Sequence, residues 1–379
     1  MSEVKVRQSN FELMRIISML MIIIWHIFYY GIDRNLTASN IRVFYDFFSA
    51  VFAIHVNSFV LLSGYFQCES KFKMSKLLKL NDSIIFYKIL IFIIFIFLGI
   101  ATTDLITVVR NVVPFDLENY WFMRVYIIMY IFSPFYNMFL DKLSKADHKK
   151  ILFVMFLLFS VLSTLTKQEA TMDATVNGGY SIVSFTFLYF VGAYFRKYPI
   201  KESYFGKKFS FEMRKLIFIF LFFILVIFNF SIHITSIKLL EQGGFMAYFG
   251  NILYIGFLKY DNPIVVLQAI SYFMIFYHMK FSNKIVNLLS STAFGAYLIH
   301  DNLFMRRNLY QIFNFPLFIT SRRIFIKIFA VAIIIYLACF IIDITRQYLF
   351  KFISETKVAK WWRRKYRGYL SDLGFNINW

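Results

Sequence analysis

Residues 11–31 read FELMRIISMLMIIIWHIFYYG, a run long enough to cross a bilayer, which takes about 20 apolar residues. Two ionisable groups interrupt it, Arg15 and His26. At about 100° per helical residue their spacing returns to within about 20° of the same face. The rise between them is about 16 Å. One helix face therefore presents a cation near one end and an imidazole well inside the membrane. Ionisable groups at that depth are costly and usually face a polar cavity or a partner. Glu12, three residues before Arg15, is placed to pair with it. The plainer alternative is that Arg15 snorkels to the headgroups and His26 bonds to a neighbouring helix.

The rest of the chain argues for the same environment. Its 379 residues are 59% hydrophobic and 21% aromatic, against about 45–50% apolar for soluble domains. The net charge of +20 does not imply nucleic acid, because the cations sit between apolar runs and form no single patch. Two cysteines, Cys68 and Cys339, make no disulfide framework. No small-residue cleavage site follows the first run, so it is expected to be a retained helix.

Spans are expected at 11–31, 44–66, 84–103, 120–140, 150–166, 181–196, 215–233, 263–279, 290–305 and 323–346. Several are shorter than a full crossing, which suggests tilted or partly re-entrant helices. The stretch 236–259, with Gly243, Gly244, Gly250 and Gly256 among aromatics, reads as a re-entrant hairpin, an interfacial segment or an eleventh span. Placing the N-terminus inside puts most loop Lys and Arg on the cytoplasmic side. An eleventh span would put the basic tail outside, against that rule. Arg15, Lys88, Arg124 and Lys327 lie within spans. The sequence thus predicts an all-α polytopic transmembrane bundle of about ten spans, with both termini in the cytoplasm. Residues 1–350 form the membrane domain, and residues 351–379, centred on KWWRRKYRGYL, a basic amphipathic cytoplasmic tail.

Further candidates follow from position. Lys73, Lys76 and Lys79 form a basic stripe at the cytoplasmic surface. It suits either anionic lipid or a phosphorylated donor arriving from the cytosol. His55, Asn57 and Ser63 lie in the second span, where Ser63-Gly64 also permits close helix packing. Tyr297 and His300 lie near the outer end of the ninth span, where His300 is either an interfacial histidine or part of the cavity holding His26. His278 and Asp343 are membrane-edge groups, and His148 is expected at the surface of a basic loop.

The R-x10-H pair Arg15 and His26 stands with FVLLSGYF, YWFMRVYIIMYIFSP, VGAYFRK and FGAYLIH in later spans. In this ordered set the chain resembles acyltransferase family 3, integral-membrane O-acyltransferases that modify carbohydrates and lipids. The resemblance covers the whole chain. Two departures stand out: members often carry an Arg pair after the SGY/F motif, where this chain has Lys73, Lys76 and Lys79, and many carry a C-terminal hydrolase-like domain. The resemblance implies transfer of an acyl group, most often acetyl from acetyl-CoA, onto a sugar hydroxyl. Acetyl-CoA would be a co-substrate, with no bound cofactor and no metal. The acceptor would be a carbohydrate or lipid-linked sugar, the setting a bacterial plasma membrane, with polysaccharide-assembly proteins as partners. His26 is then the general base or an acyl relay, and Arg15 orients it or the donor. Lys73, Lys76 and Lys79 are donor-binding candidates, and Glu12, His55, Asn57, Ser63, Tyr297 and His300 line the cavity. The competing functions are a polysaccharide-precursor transporter or flippase, a polysaccharide polymerase and a scaffold for glycan assembly.

Overall fold

The computed structural model describes residues 7–32, 39–113, 120–166, 177–315 and 323–356. Most of the basic tail expected at 351–379 lies outside them. Among the described residues the protein is all-helical. Six helical segments are long and apolar enough to cross a membrane: Ser9–Gly31, Ile41–Gln67, Met74–Phe97, Lys145–Leu165, Phe211–Gln242 and Arg323–Glu355. They make this a multi-pass membrane protein.

Helix α1 (Ser9–His26) is the axis of the bundle. It touches α3 (His55–Gln67), α11 (Pro263–Tyr277), α12 (Lys284–Ser290), α13 (Ala293–His300) and α15 (Arg323–Glu355). Leu, Met and unbroken isoleucines favour the helix, and Glu12 sits in the first turn, where the dipole favours an anion. Its last turn widens into a π-turn, Ile27–Gly31, before the chain becomes extended at Ile32. A Cβ at Gly31 would stand 3.1 Å from the Phe315 ring, a tight approach that the glycine avoids.

The second span is in two pieces. Helix α2 (Ser39–Phe52) stops, and α3 restarts at His55. A break frees backbone carbonyls that lipid cannot satisfy. Gln268 of α11 donates to Ala50 O at 2.9 Å, and His55 Nδ1–H to Phe52 O at 2.5 Å. Below the break, α3 lies against α8 (Ile182–Lys197) at glycine contact distance. A Cβ at Gly64 would stand 2.1 Å from Tyr189 O, and one at Gly192 2.2 Å from Leu61 O. The two backbones therefore touch reciprocally, as small residues allow in membranes. Helix α4 (Met74–Phe97) begins earlier than the expected span at 84–103, so Lys76 and Lys79 ride on its first turns. The outer helix α5 (Leu105–Val112) folds back so that Lys88, fully buried in α4, donates to the carbonyls of Arg110 and Val113 at 2.6 Å each. Helices α6 (Trp121–Asp141) and α7 (Lys145–Phe156) follow. His148 of α7 is not at the surface as expected: it is buried and donates to Phe190 O at 3.1 Å.

The open question at 236–259 resolves into the end of one helix, a glycine turn and a second, antiparallel helix. Helix α9 (Phe211–Gln242) turns at Gly243 and Gly244, both at positive φ, into α10 (Gly244–Gly256). The register against α9 descends steadily. Gly250 meets Ser236 and Leu239, His233 stacks on Phe257, Phe222 meets Tyr272, and Phe218 meets His278. Helices α10 and α11 together therefore run antiparallel to α9, with an unwound link at residues 257–262. Polar side chains from several helices hold that link. Asn57 donates to Tyr260 O at 2.8 Å, Ser160 to Asp261 O at 2.6 Å, and Asn229 to Phe257 O at 3.2 Å. Ser163 donates to the Asp261 carboxylate at 2.6 Å, and Asn262 caps α11 through Ile264 N at 2.8 Å.

The expected span at 290–305 is also discontinuous. It comprises α12, α13 and α14 (Leu303–Ile312), with interruptions at Ser291–Thr292 and Asp301–Asn302. Asp343 of α15, placed at the membrane edge by the sequence, is a buried hub. It accepts from Tyr87 Oη, Arg346 Nε and Gln347 Nε2 at 2.7 Å each. It sits where a Cβ on Gly295 would be, 2.1 Å from its Cγ. The close α3–α8 contact gives a first expectation. Gly64→Leu should lower the unfolding temperature in detergent, at a cost of about 1–3 kcal/mol or more, since overpacking here meets backbone. Differential scanning fluorimetry of the purified variant checks it, and an unchanged midpoint would contradict the contact.

Candidate functional site

Along α1, Glu12, Arg15, Met19, Ile22 and His26 recur at three- and four-residue steps, so all five face one way. On α3, His55, Phe59, Leu62 and Phe66 do the same. The two stripes form opposite walls of a cavity of about 430 Å³. α4, α6, α13 and the link after α10 complete it through Lys76, Trp121, Phe122, Met123, Tyr126, Tyr297 and Tyr260.

The ends differ in chemistry. At one end lie Arg7, Arg15, Lys76 and Glu12. Arg15 donates to Glu12 Oε1 at 2.6 Å, so the pairing expected from the sequence is present. Ser290 donates to Glu12 Oε2 at 2.5 Å, and Arg7 stands 3.9 Å from the carboxylate. Lys76 lies 4.7 Å over the Tyr130 ring. Three cations against one carboxylate leave this mouth net positive. Arg196–Glu69, at 2.6 Å, and the Lys197–Asp141 pair bind neighbouring helix ends on the same side.

The other end holds three imidazoles. His26 Nδ1 is 3.7 Å from Asp301 Oδ1, and its ring lies 5.2 Å from His300 and 5.6 Å from Tyr30. Across the cavity, His55 spends its Nδ1–H on Phe52 O, so its Nε2 accepts from Tyr260 Oη at 3.1 Å. Tyr260 stacks on Trp121 at 6.0 Å. Between the two ends the lining is mostly apolar, Met19, Ile22, Phe59, Leu62, Met123 and Phe294, with Ser63, Gln67 and Tyr126 among them. Such a passage accommodates a slender apolar chain with a charged head at the basic mouth.

Of the candidates read from sequence, Arg15, His26, Glu12, His55, Ser63, Tyr297 and Lys76 come together on the wall. Four do not. Lys73 precedes α4, where its backbone bonds to Tyr130 Oη at 3.1 Å, and neither Lys73 nor Lys79 lines the cavity. Asn57 is buried beneath the Tyr260 carbonyl, holding the broken span. His300 is buried behind His26, its Nδ1–H on Ala296 O at 2.5 Å. Tyr260, Trp121 and Asp301 line the cavity without having been singled out. Tyr260 follows directly on the glycine-rich stretch 236–259, whose path was open, and Asp301 stands next to His300. Among the described residues no cluster of three or more His, Cys, Asp or Glu is placed to hold a metal ion.

A family model described as an acyltransferase domain matches residues 8–350. No curated protein matches the chain. No solved structure matches it either.

The separation of wall from scaffold is open to test. In a background lacking Cys68 and Cys339, Ser63→Cys should react readily with a small methanethiosulfonate reagent, and Asn57→Cys should resist it. Labelling followed by intact mass measures both, and equal rates would contradict the placement.

Proposed function

The chain belongs to acyltransferase family 3 and is a membrane acyltransferase, and from that premise we propose that it transfers an acyl group, acetyl in the first instance, from a coenzyme A thioester to a sugar hydroxyl of a cell-envelope or exported polysaccharide. The observation that carries this reading is the single cavity joining a basic mouth to His26.

A CoA donor is anionic and cytosolic. The positive-inside pattern supports an N-in/C-in topology of about ten spans, which turns Arg7, Arg15 and Lys76 toward the cytosol. These cations suit the donor's phosphates, with Arg15 offering a planar fork and Lys76 a point charge. The apolar middle suits the thioester arm. At the far end a hydroxyl is a weak nucleophile until a base removes its proton, and a neutral imidazole suits that task near pH 7. His26 takes the acceptor O–H proton as the oxygen bonds to the acyl carbon. The carbon–sulfur bond then breaks, and the departing thiolate recovers the proton. The acceptor, a carbohydrate or lipid-linked sugar, approaches from the outer half. Polysaccharide-assembly proteins in a bacterial plasma membrane are the partners this role implies.

A transporter would also use broken helices around a midplane site. Family membership and a histidine at the cavity's end support chemistry instead.

Purified protein in nanodiscs, radiolabelled acetyl-CoA and a cell-envelope glycan extract test the reading. Label should pass to glycan with release of free CoA. His26→Ala should lower the rate by about 10²–10⁴-fold, the usual range for a lost acid–base group. Arg15→Ala should chiefly raise the donor KM. Full activity in His26→Ala would overturn the assignment.

A further inference from the structure

General base action by His26 requires one ring nitrogen protonated and the other bearing a lone pair aimed at the acceptor. The proton's location is set by what the far nitrogen meets. His26 Nδ1 is buried and makes no hydrogen bond, and the Asp301 carboxylate stands 3.7 Å from it. His300, its Nδ1–H committed to Ala296 O, presents only a neutral Nε2 lone pair beside His26, a weaker acceptor for the His26 proton than a carboxylate.

Asp301 is itself held. Its side chain is 3% exposed, and Arg306 Nη1 approaches the same Oδ1 at 3.7 Å. Arg306 also donates to Tyr30 Oη at 3.3 Å, and its guanidinium lies 5.8 Å over the Tyr30 ring. Tyr30 packs edge-on against His26, so carboxylate, guanidinium, phenol and imidazole close a ring. The π-turn at Ile27–Gly31 brings Tyr30 behind His26; such turns are frequent at functional sites. Asp301 caps α13 where it is interrupted before α14, its backbone N–H still bonded to Tyr297 O at 3.1 Å.

We propose that Asp301 is the positioning residue of His26: its carboxylate accepts from His26 Nδ1–H, which leaves Nε2 as the atom that takes the acceptor's proton. The opposite tautomer would set a nitrogen lone pair against carboxylate lone pairs. Contacts of this kind are often loose without substrate and tighten in the reacting complex. This inference rests on the acyl-transfer reading for its consequence in rate, but the pairing is measurable without turnover. In the transfer, the acceptor proton moves to Nε2, the carbon–oxygen bond forms, the carbon–sulfur bond of the acyl thioester breaks, and the thiolate takes the proton back. The Asp301–Nδ1 hydrogen bond persists throughout.

The experiment is solid-state NMR of ¹⁵N-histidine-labelled protein in nanodiscs, with the His26 signals assigned by difference against His26→Gln. The wild type should show the Nδ1–H tautomer. Asp301→Asn presents an N–H in place of a lone pair and should convert His26 to Nε2–H. Kinetically it should lower kcat by about 10²-fold or more with little change in donor KM, the pattern of a misoriented base. Asp301→Glu keeps the carboxylate; it should retain the Nδ1–H tautomer and recover part of the rate. It decides the matter if the Asn variant does not fold. An Nε2–H tautomer in the wild type, or an unchanged tautomer in Asp301→Asn, would overturn the proposal. Correct tautomers with no transfer from acetyl-CoA in the wild type would leave the pairing standing and count against the acyl-transfer reading.

Discussion

Hydrocarbon offers no partner to a backbone amide, so every N–H and C=O released by a broken helix must be matched from inside the protein. That constraint organises this structure. Among the described residues three helical runs are interrupted, at residues 53–54, at 257–262, and at 291–292 with 301–302. Each interruption lies at the cavity, and two carry residues of its far end. His55 opens the helix after the first, Tyr260 lies in the second, and Asp301 stands at the end of the third. Some of the polar side chains buried in apolar helices are the other half of these breaks. Asn57, Ser160, Asn229 and Gln268 each hold a carbonyl that a straight helix would have satisfied itself. An unmatched buried polar group costs about 1–3 kcal/mol, so the breaks and their partners have to occur together.

Two contacts hold the walls at fixed separation. Gly64 and Gly192 let α3 and α8 meet backbone to backbone, which sets where the α3 stripe stands opposite α1. On the other side, Gly295 admits the Asp343 carboxylate, and Tyr87, Arg346 and Gln347 saturate it. That network ties α13, the helix that ends at His300, to α4 and α15. A charge taken out of water is tolerable only when its lone pairs are filled in this way. Neither contact is made by residues that line the cavity themselves, yet both fix helices that do.

Part of the site was legible because it follows from a single helix. The positions 12, 15, 19, 22 and 26 share a face on any α-helix, so one wall could be read from spacing alone. The Glu12–Arg15 pair is local for the same reason. The rest depends on contacts between distant segments. Asn57 and Ser63 belong to one helix and differ only in which face meets the cavity. The lysine stripe on α4 looked like one feature, but only Lys76 leans over Tyr130 into the mouth. His148 lay in a basic stretch and is nonetheless buried, because α8 supplies Phe190 O as its acceptor.

The sequence by itself determined that this chain is helical and membrane-embedded, that its first helix carries a cation and an imidazole on one stripe, and which family it resembles. Hydropathy and helical period are local properties, and local order is enough to express them. Only the tertiary structure decided that the stretch at 236–259 turns back on α9 as a second helix, that Tyr260 and Asp301 reach the cavity, and that Asn57 is scaffold. Each of those outcomes turns on which partner satisfies a backbone or side-chain group from a segment far away in the chain, and no reading along one helix contains that choice.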